Sequence, residues 1–319
     1  MTAAAALAAV ALAAAAPTPE QIQALYDRGR ATDDRAAVRA AELLDHRPLH
    51  LRIPATLPRV PDRRAHPPGA PDARLSLALE RLGRSFDGWA AFWVHDLRTG
   101  RTAGWNSDAR FPAASTVKLA VLDAALRRYD DGRGSIEYDL RQIGAWSSNL
   151  AANRIVEKLG LTVVNGALRR LGMWSSTYPG LYRAGTSARR DAPKEPPRTH
   201  TRLTTAHDLG RALYRIHAAV LGNRLALRQL RVTRAYARVA LARLLASRPL
   251  GDNKGLVRPS LPRATIAQKN AWLSDLRTTA AIVYRATGPV IVVVEAYRPG
   301  ITTTEARALG AQVVHATGL

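Results

Sequence analysis

The sequence predicts an α+β protein whose two ends share one sheet. Three observations carry this. Alternating or continuous apolar runs of strand length occur near residue 90 and again after residue 265. The long stretch between them reads as helical, and the chain closes on an amphipathic helix.

In chain order, Gln21-Tyr26 and Arg35-Leu44 read as amphipathic helices. Residues 46–71 are rich in proline and read as a linker or extended arm. A compact domain is expected from Asp72. Leu75, Leu77, Leu79 and Leu82 give Asp72-Leu82 helical spacing. Trp89-Val94 reads as a buried strand, Leu97-Gly100 as a hairpin turn and Arg101-Trp105 as the returning strand. A helix carrying Ser115 follows, and residues 148–245 are mostly helical or irregular. Gln268-Trp272 is a short strand before a turn at Leu273-Asp275. Thr278-Tyr284 and Pro289-Tyr297 are strands, and Thr304-Ala316 is the closing helix.

With 319 residues the chain can bury a full core. Its net charge of +22 comes almost wholly from arginine, for only five of its 47 basic residues are lysines. The excess fits an anionic partner such as a cell-wall surface, or equally an arginine-rich solvated surface. The arginines are dispersed and no nucleic-acid motif is present. The absence of cysteine excludes disulfides, thiolate catalysis and cysteine–zinc sites. The eight histidines show no metal-ligand spacing, so neither a metal nor any other cofactor is expected. Ala3-Ala16 is an Ala/Leu/Val run too short to span a bilayer, suited to the core of an export signal over residues 1–16. No basic residue precedes it, and an Ala-rich helix or tail is the alternative.

Three constellations carry chemistry. In Ser115-Thr116-Val117-Lys118, spacing of three on a helix sets an amine beside a hydroxyl at the helix's positive end. A desolvated lysine can there take the proton of a serine nucleophile. Arginine could not do this, because its guanidinium keeps its proton. In Ser147-Ser148-Asn149, a second hydroxyl can pass a proton to a leaving amine and a carboxamide can hold a substrate amide. Ser148 is alternatively a helix N-cap. In Gln268-Lys269-Asn270-Ala271-Trp272, Lys269 can face an anionic substrate while an edge strand pairs with its amide.

This ordered set, Ser-x-x-Lys, then Ser-x-Asn, then a lysine-led strand, resembles the class A β-lactamases and related penicillin-binding proteins. Arg110-Ala114, Ser148-Asn153 and Thr204-Leu209 extend the resemblance, which runs from about Asp72 to Leu319. It implies an antiparallel sheet flanked by helices plus an all-helical subdomain, with residues 17–71 as an unexplained extension. It also implies a small β-lactam or peptidoglycan-derived substrate; a monomer is expected, and export is expected from the Ala3-Ala16 run. Ser115 would be acylated, Lys118 would take its proton or help to take it, and Ser147, assisted by Lys269, would relay it to the departing nitrogen. Asn149 would hold the substrate side-chain amide. The N–H groups of Ser115 and Trp272 would form an oxyanion hole. Arg277, with Asn270 standing where the family has a hydroxyl, would meet a substrate carboxylate; Arg277 reads equally well as a surface charge.

The sequence departs from the family in four places. Ser148 replaces an aspartate, and Asn270-Ala271 replaces a Thr/Ser-Gly pair. The gap between Ser115 and Ser147 is too short for the family's roofing hairpin and helix. The omega segment lacks Glu-x-x-Leu-Asn, with only Asp191 and Glu195 as carboxylates. In the family that glutamate activates the deacylating water, so slow deacylation is expected. A D,D-peptidase, an esterase and a non-catalytic wall-binding descendant are the alternatives.

Overall fold

The computed structural model describes residues 65–129, 136–182, 202–249 and 251–319, together with Gln21, Leu25 and Arg28. The proposed export signal, most of the extension over residues 17–71, and Asp191 and Glu195 lie outside the described residues.

Helix α1 (Ala73–Ser85) starts where Asp72 accepts a hydrogen bond from the Leu75 N–H, satisfying one of the helix's unpaired donors. Strands β1 (Trp89–Asp96) and β2 (Thr102–Trp105) form the expected hairpin. Two-residue strands β3 (Phe111–Pro112) and β4 (Leu203–Thr204) pair with each other just before the serine turn. The helical part comprises α2 (Lys118–Arg128), α3 (Glu137–Trp146), α4 (Asn149–Leu159), α5 (Leu161–Leu171), α6 (Ala206–Val220), α7 (Arg224–Leu230) and α8 (Arg234–Leu245). Strands β5 (Thr265–Trp272), β6 (Leu276–Tyr284) and β7 (Val290–Tyr297) then complete one antiparallel sheet in the order β2-β1-β7-β6-β5. Helix α9 (Thr303–Ala316) closes the fold, its start fixed by a reciprocal Thr302–Glu305 capping box.

The expected α+β architecture is therefore present, with both ends of the chain in one sheet. The order of strands makes β7 central, and all eight of its residues are buried. Helices cover both faces, which explains the valine-rich run in place of an alternating pattern. One face packs Ala267, Ala280, Ile282, Ile291 and Val293 against the helical part. The other packs Val292, Val294, Ala281 and Val283 against α1 and α9. Each fully buried Leu, Ile or Val contributes roughly 1.5–3 kcal/mol. Close packing sets glycine requirements: a Cβ on Gly210 of α6 would lie 2.1 Å from the Trp93 ring on β1.

Two local differences from the sequence reading matter. Helix α3 was not separately expected, because Asp139 and Gln142, both buried, interrupt its apolar face. Asp139 is held there by Arg154 of α4 at 2.6 Å. The helix expected to contain Ser115 begins at Lys118, leaving Ser115 in the turn that precedes it.

Candidate active site

The Ser115 turn is tightly built. The Thr116 N–H and hydroxyl both donate to the Ala113 carbonyl, at 2.9 and 2.6 Å, and the Lys118 N–H donates to the Ser115 carbonyl at 3.2 Å. The Ala113 N–H is tied to the Arg202 carbonyl next to β4. Ala114 has φ +40°, a left-handed value that costs an L-residue about 1–2 kcal/mol. That strain sits on the residue immediately before the serine.

Lys118 is fully buried at the start of α2. Its Nζ donates to Ser115 Oγ at 3.0 Å, to the Ser147 carbonyl and to Asn149 Oδ1, and lies 3.5 Å from Ser147 Oγ. Ser147 caps the C-terminus of α3 with φ +60°, again left-handed, which turns it toward the two lysines. Ser148 caps the N-terminus of α4, its hydroxyl accepting from the Ala151 N–H at 3.1 Å; the capping reading of Ser148 holds. Asn149 follows as the first residue of α4.

Lys269 reaches the same point from the sheet. Its Nζ donates to Ser147 Oγ at 2.6 Å and to the Asn270 carbonyl at 2.9 Å. Burial lowers its pKa to about 7. Four side chains from three separate segments thus form one hydrogen-bonded chain: Ser115, Lys118, Ser147, Lys269. Strand β5 is the sheet's edge, so the backbone of Lys269–Trp272 is available on its outer side, as expected for pairing with an amide.

The structure does not bring Asn270 into this chain. Successive residues of a strand point to opposite faces, so Asn270 faces away from the Lys269 side. There its Nδ2 donates to the Asn253 carbonyl at 2.6 Å and its Oδ1 accepts from the Thr279 hydroxyl at 2.8 Å, with the residue 1% exposed. Asn270 anchors the 251–256 segment, and its carboxamide is not turned out to meet a substrate. Arg277 shares that far side: its Nε donates to Thr303 Oγ1 at 3.3 Å, lies 3.3 Å from Asp252 Oδ1, and Nη1 donates to the Leu273 and Leu276 carbonyls. Trp272 pairs with Arg277 across β5 and β6 at the open end of the strand.

The sequence reading missed Tyr182. Its ring centroid lies 4.4 Å from Lys118 Nζ, and its hydroxyl donates to the Ala114 carbonyl at 3.0 Å. The Arg202 guanidinium lies 3.9 Å from the same centroid. Asn153 on α4 holds the Tyr182 backbone at both ends, donating to its carbonyl at 3.0 Å and accepting from its N–H at 2.8 Å. Burial pushes the phenol up to about 12, so it remains a donor throughout the ordinary pH range. Among the described residues, no group of three or more His, Asp and Glu side chains is placed to hold a metal ion.

The sequence matches the pattern of the beta-lactamase enzyme family over residues 74–141 and 139–317. No curated protein sequence matches it. Among solved structures, it is similar to PBP-A, with 18% identity, a TM-score of 0.61, and coverage of 79% of this chain and 99% of that one. It is also similar to a beta-lactamase from Xanthomonas campestris, with 21% identity, a TM-score of 0.61, and coverage of 76% and 96%. A beta-lactamase from Sphaerobacter thermophilus shares 18% identity and a TM-score of 0.59, over 77% of this chain and 95% of that one. A PBP-A variant has been solved as an acyl-enzyme complex with penicillin G.

Proposed function

The chain belongs to the beta-lactamase enzyme family, and on that premise we propose that it is a serine hydrolase acylated at Ser115 by β-lactams or peptidoglycan-like amides. The observation that carries the reading is the continuous hydrogen-bonded chain from Ser115 through Lys118 and Ser147 to Lys269.

The chemistry follows from that order. Lys118, in its neutral form, takes the Ser115 proton as Oγ attacks the substrate carbonyl carbon. The carbonyl oxygen becomes an oxyanion, for which the N–H groups of Ser115 and Trp272 are the candidate donors. As the carbon–nitrogen bond breaks, Ser147 gives its hydroxyl proton to the departing nitrogen and regains one from Lys118. The proton that left Ser115 is thereby balanced by the one on nitrogen. Lys269 holds Ser147 Oγ in place and, in its protonated form, presents positive charge to an anionic substrate. Asn149 orients Lys118 through its Oδ1 and offers its amide nitrogen to the substrate.

Deacylation is proposed to be slow. The omega segment lacks the family's Glu-x-x-Leu-Asn, and the Tyr182 ring lies over Lys118. A long-lived acyl-enzyme suits a penicillin-binding or D,D-peptidase role better than efficient antibiotic hydrolysis. The Ala3-Ala16 run supports export to the compartment where such substrates lie.

The test is intact-protein mass over time after mixing with benzylpenicillin, with Ser115→Ala as control. A Ser115-dependent adduct that persists for minutes supports the reading. A transient adduct with accumulating product overturns slow deacylation, and no adduct across several β-lactams overturns the substrate class.

A further inference from the structure

Resting on the reading of Ser115 as the acylated residue, we infer that Tyr182 is a positioning residue that sets both members of the Ser115–Lys118 pair from one side chain.

A peptide unit is planar and trans, so the Ala114 carbonyl and the Ser115 N–H point in opposite directions. The Tyr182 hydroxyl donates to that carbonyl at 3.0 Å. Pinning the carbonyl toward Tyr182 therefore aims the Ser115 N–H away from it. That N–H is the candidate oxyanion donor, so the phenol fixes the direction of a group that must already be aimed when charge develops. Ala114 has φ +40°, a conformation that an L-residue leaves unless something holds it. The turn's own hydrogen bonds involve Ala113, Thr116 and Lys118, and the phenol is the side chain bonded to Ala114 itself.

The face of the Tyr182 ring lies 4.4 Å from Lys118 Nζ, on which Ser115, Ser147 and Asn149 also converge. A ring face attracts the ammonium formed when Lys118 takes the serine proton. It also excludes water from that side of the amine. Tyr182 can perform both tasks because it is itself immobilised. Asn153, 1% exposed, clamps its backbone N–H and carbonyl, and Tyr178 packs edge-on against its ring at 5.9 Å.

The experiment measures the dissociation constant and the acylation rate constant for benzylpenicillin separately, by rapid mixing, in wild type, Tyr182→Phe and Tyr182→Leu. Binding of phenylboronic acid, which forms a tetrahedral adduct on a serine, is measured alongside. Tyr182→Phe removes only the hydroxyl. Its acylation rate constant and its boronate affinity are expected to fall about 10-fold or more, a fraction of the loss from deleting an oxyanion donor. Its dissociation constant for penicillin stays within about 3-fold, and its Tm changes little. Tyr182→Leu also loses the ring and falls further in acylation rate with the same dissociation constant.

Unchanged acylation and boronate binding in Tyr182→Phe overturn the inference. So does a parallel loss of Tm, penicillin binding and rate, which is the signature of a merely structural residue. Equal losses in the two variants overturn the Lys118 half. If wild type itself is not acylated, the reading of the site fails first, and boronate binding still decides the role of Tyr182.

Discussion

Lys269→Met is the perturbation whose effect the structure fixes most closely. The amine is buried, 3% exposed, and burial lowers its pKa to about 7, whereas in the unfolded chain it titrates near its ordinary 10.5. Between those values the unfolded chain holds a proton that the native protein releases. Stability therefore rises with pH across that window, by at most about 1.4 kcal/mol per unit. The whole window, from about 7 to 10.5, amounts to about 4–5 kcal/mol. Below pH 7 this group contributes no slope. Methionine has similar length and no charge, so Lys269→Met loses this contribution, while every other titrating group is common to both proteins. Urea unfolding at pH 7, 8, 9 and 10 should show wild type gaining on the variant at each step. The same variant should lose acylation, because Ser147 loses its anchor. Parallel stability curves from pH 7 to 10 would refute the reasoning, since they would mean that Lys269 is not desolvated in the folded protein.

Two further predictions follow from other buried groups. Burial lowers His95 and His217 to about 4, so each stays neutral in the fold while its unfolded form begins to protonate near pH 6.5. Stability should fall as pH drops from 6.5 toward 4, by up to roughly 3 kcal/mol per histidine. His217→Phe should flatten part of that acid limb in pH-dependent thermal melts; an unchanged limb would count against neutral burial. Gly210→Ala should cost more than about 2 kcal/mol in chemical unfolding, because the new methyl would meet the Trp93 ring at 2.1 Å and the helix cannot retreat from the sheet without opening the core. A loss below 0.5 kcal/mol would show that α6 and β1 adjust freely.

The parts of the site visible in the sequence are those in which short local spacing carries the chemistry. Ser115 and Lys118 are three residues apart, and Lys269 stands in an apolar strand run where a charged residue is conspicuous. The strand's two-residue period also separates Lys269 from Asn270. That period sets Asn270 on the far face, where it is bonded to Asn253 and Thr279. Tyr182 and Arg202 were not legible, because their roles come from through-space contacts between segments far apart in the chain. The clamp on Tyr182 comes from Asn153, which lies inside the Ala-Ala-Asn run of the family resemblance, but nothing in that run names its partner. Helix α3 was hidden for a different reason: buried Asp139 and Gln142 break its apolar face, and only the ion pair with Arg154 explains the charge.

The central claim is that one particular hydroxyl is acylated, although two serine hydroxyls lie within 3.5 Å of the same amine. Tandem mass spectrometry of a digest quenched soon after mixing with benzylpenicillin decides between them. The penicilloyl group is expected on Ser115, and Ser147→Ala should slow its arrival without moving it. An acyl group on Ser147, or labelling that survives Ser115→Ala, would contradict the assignment of nucleophile and relay.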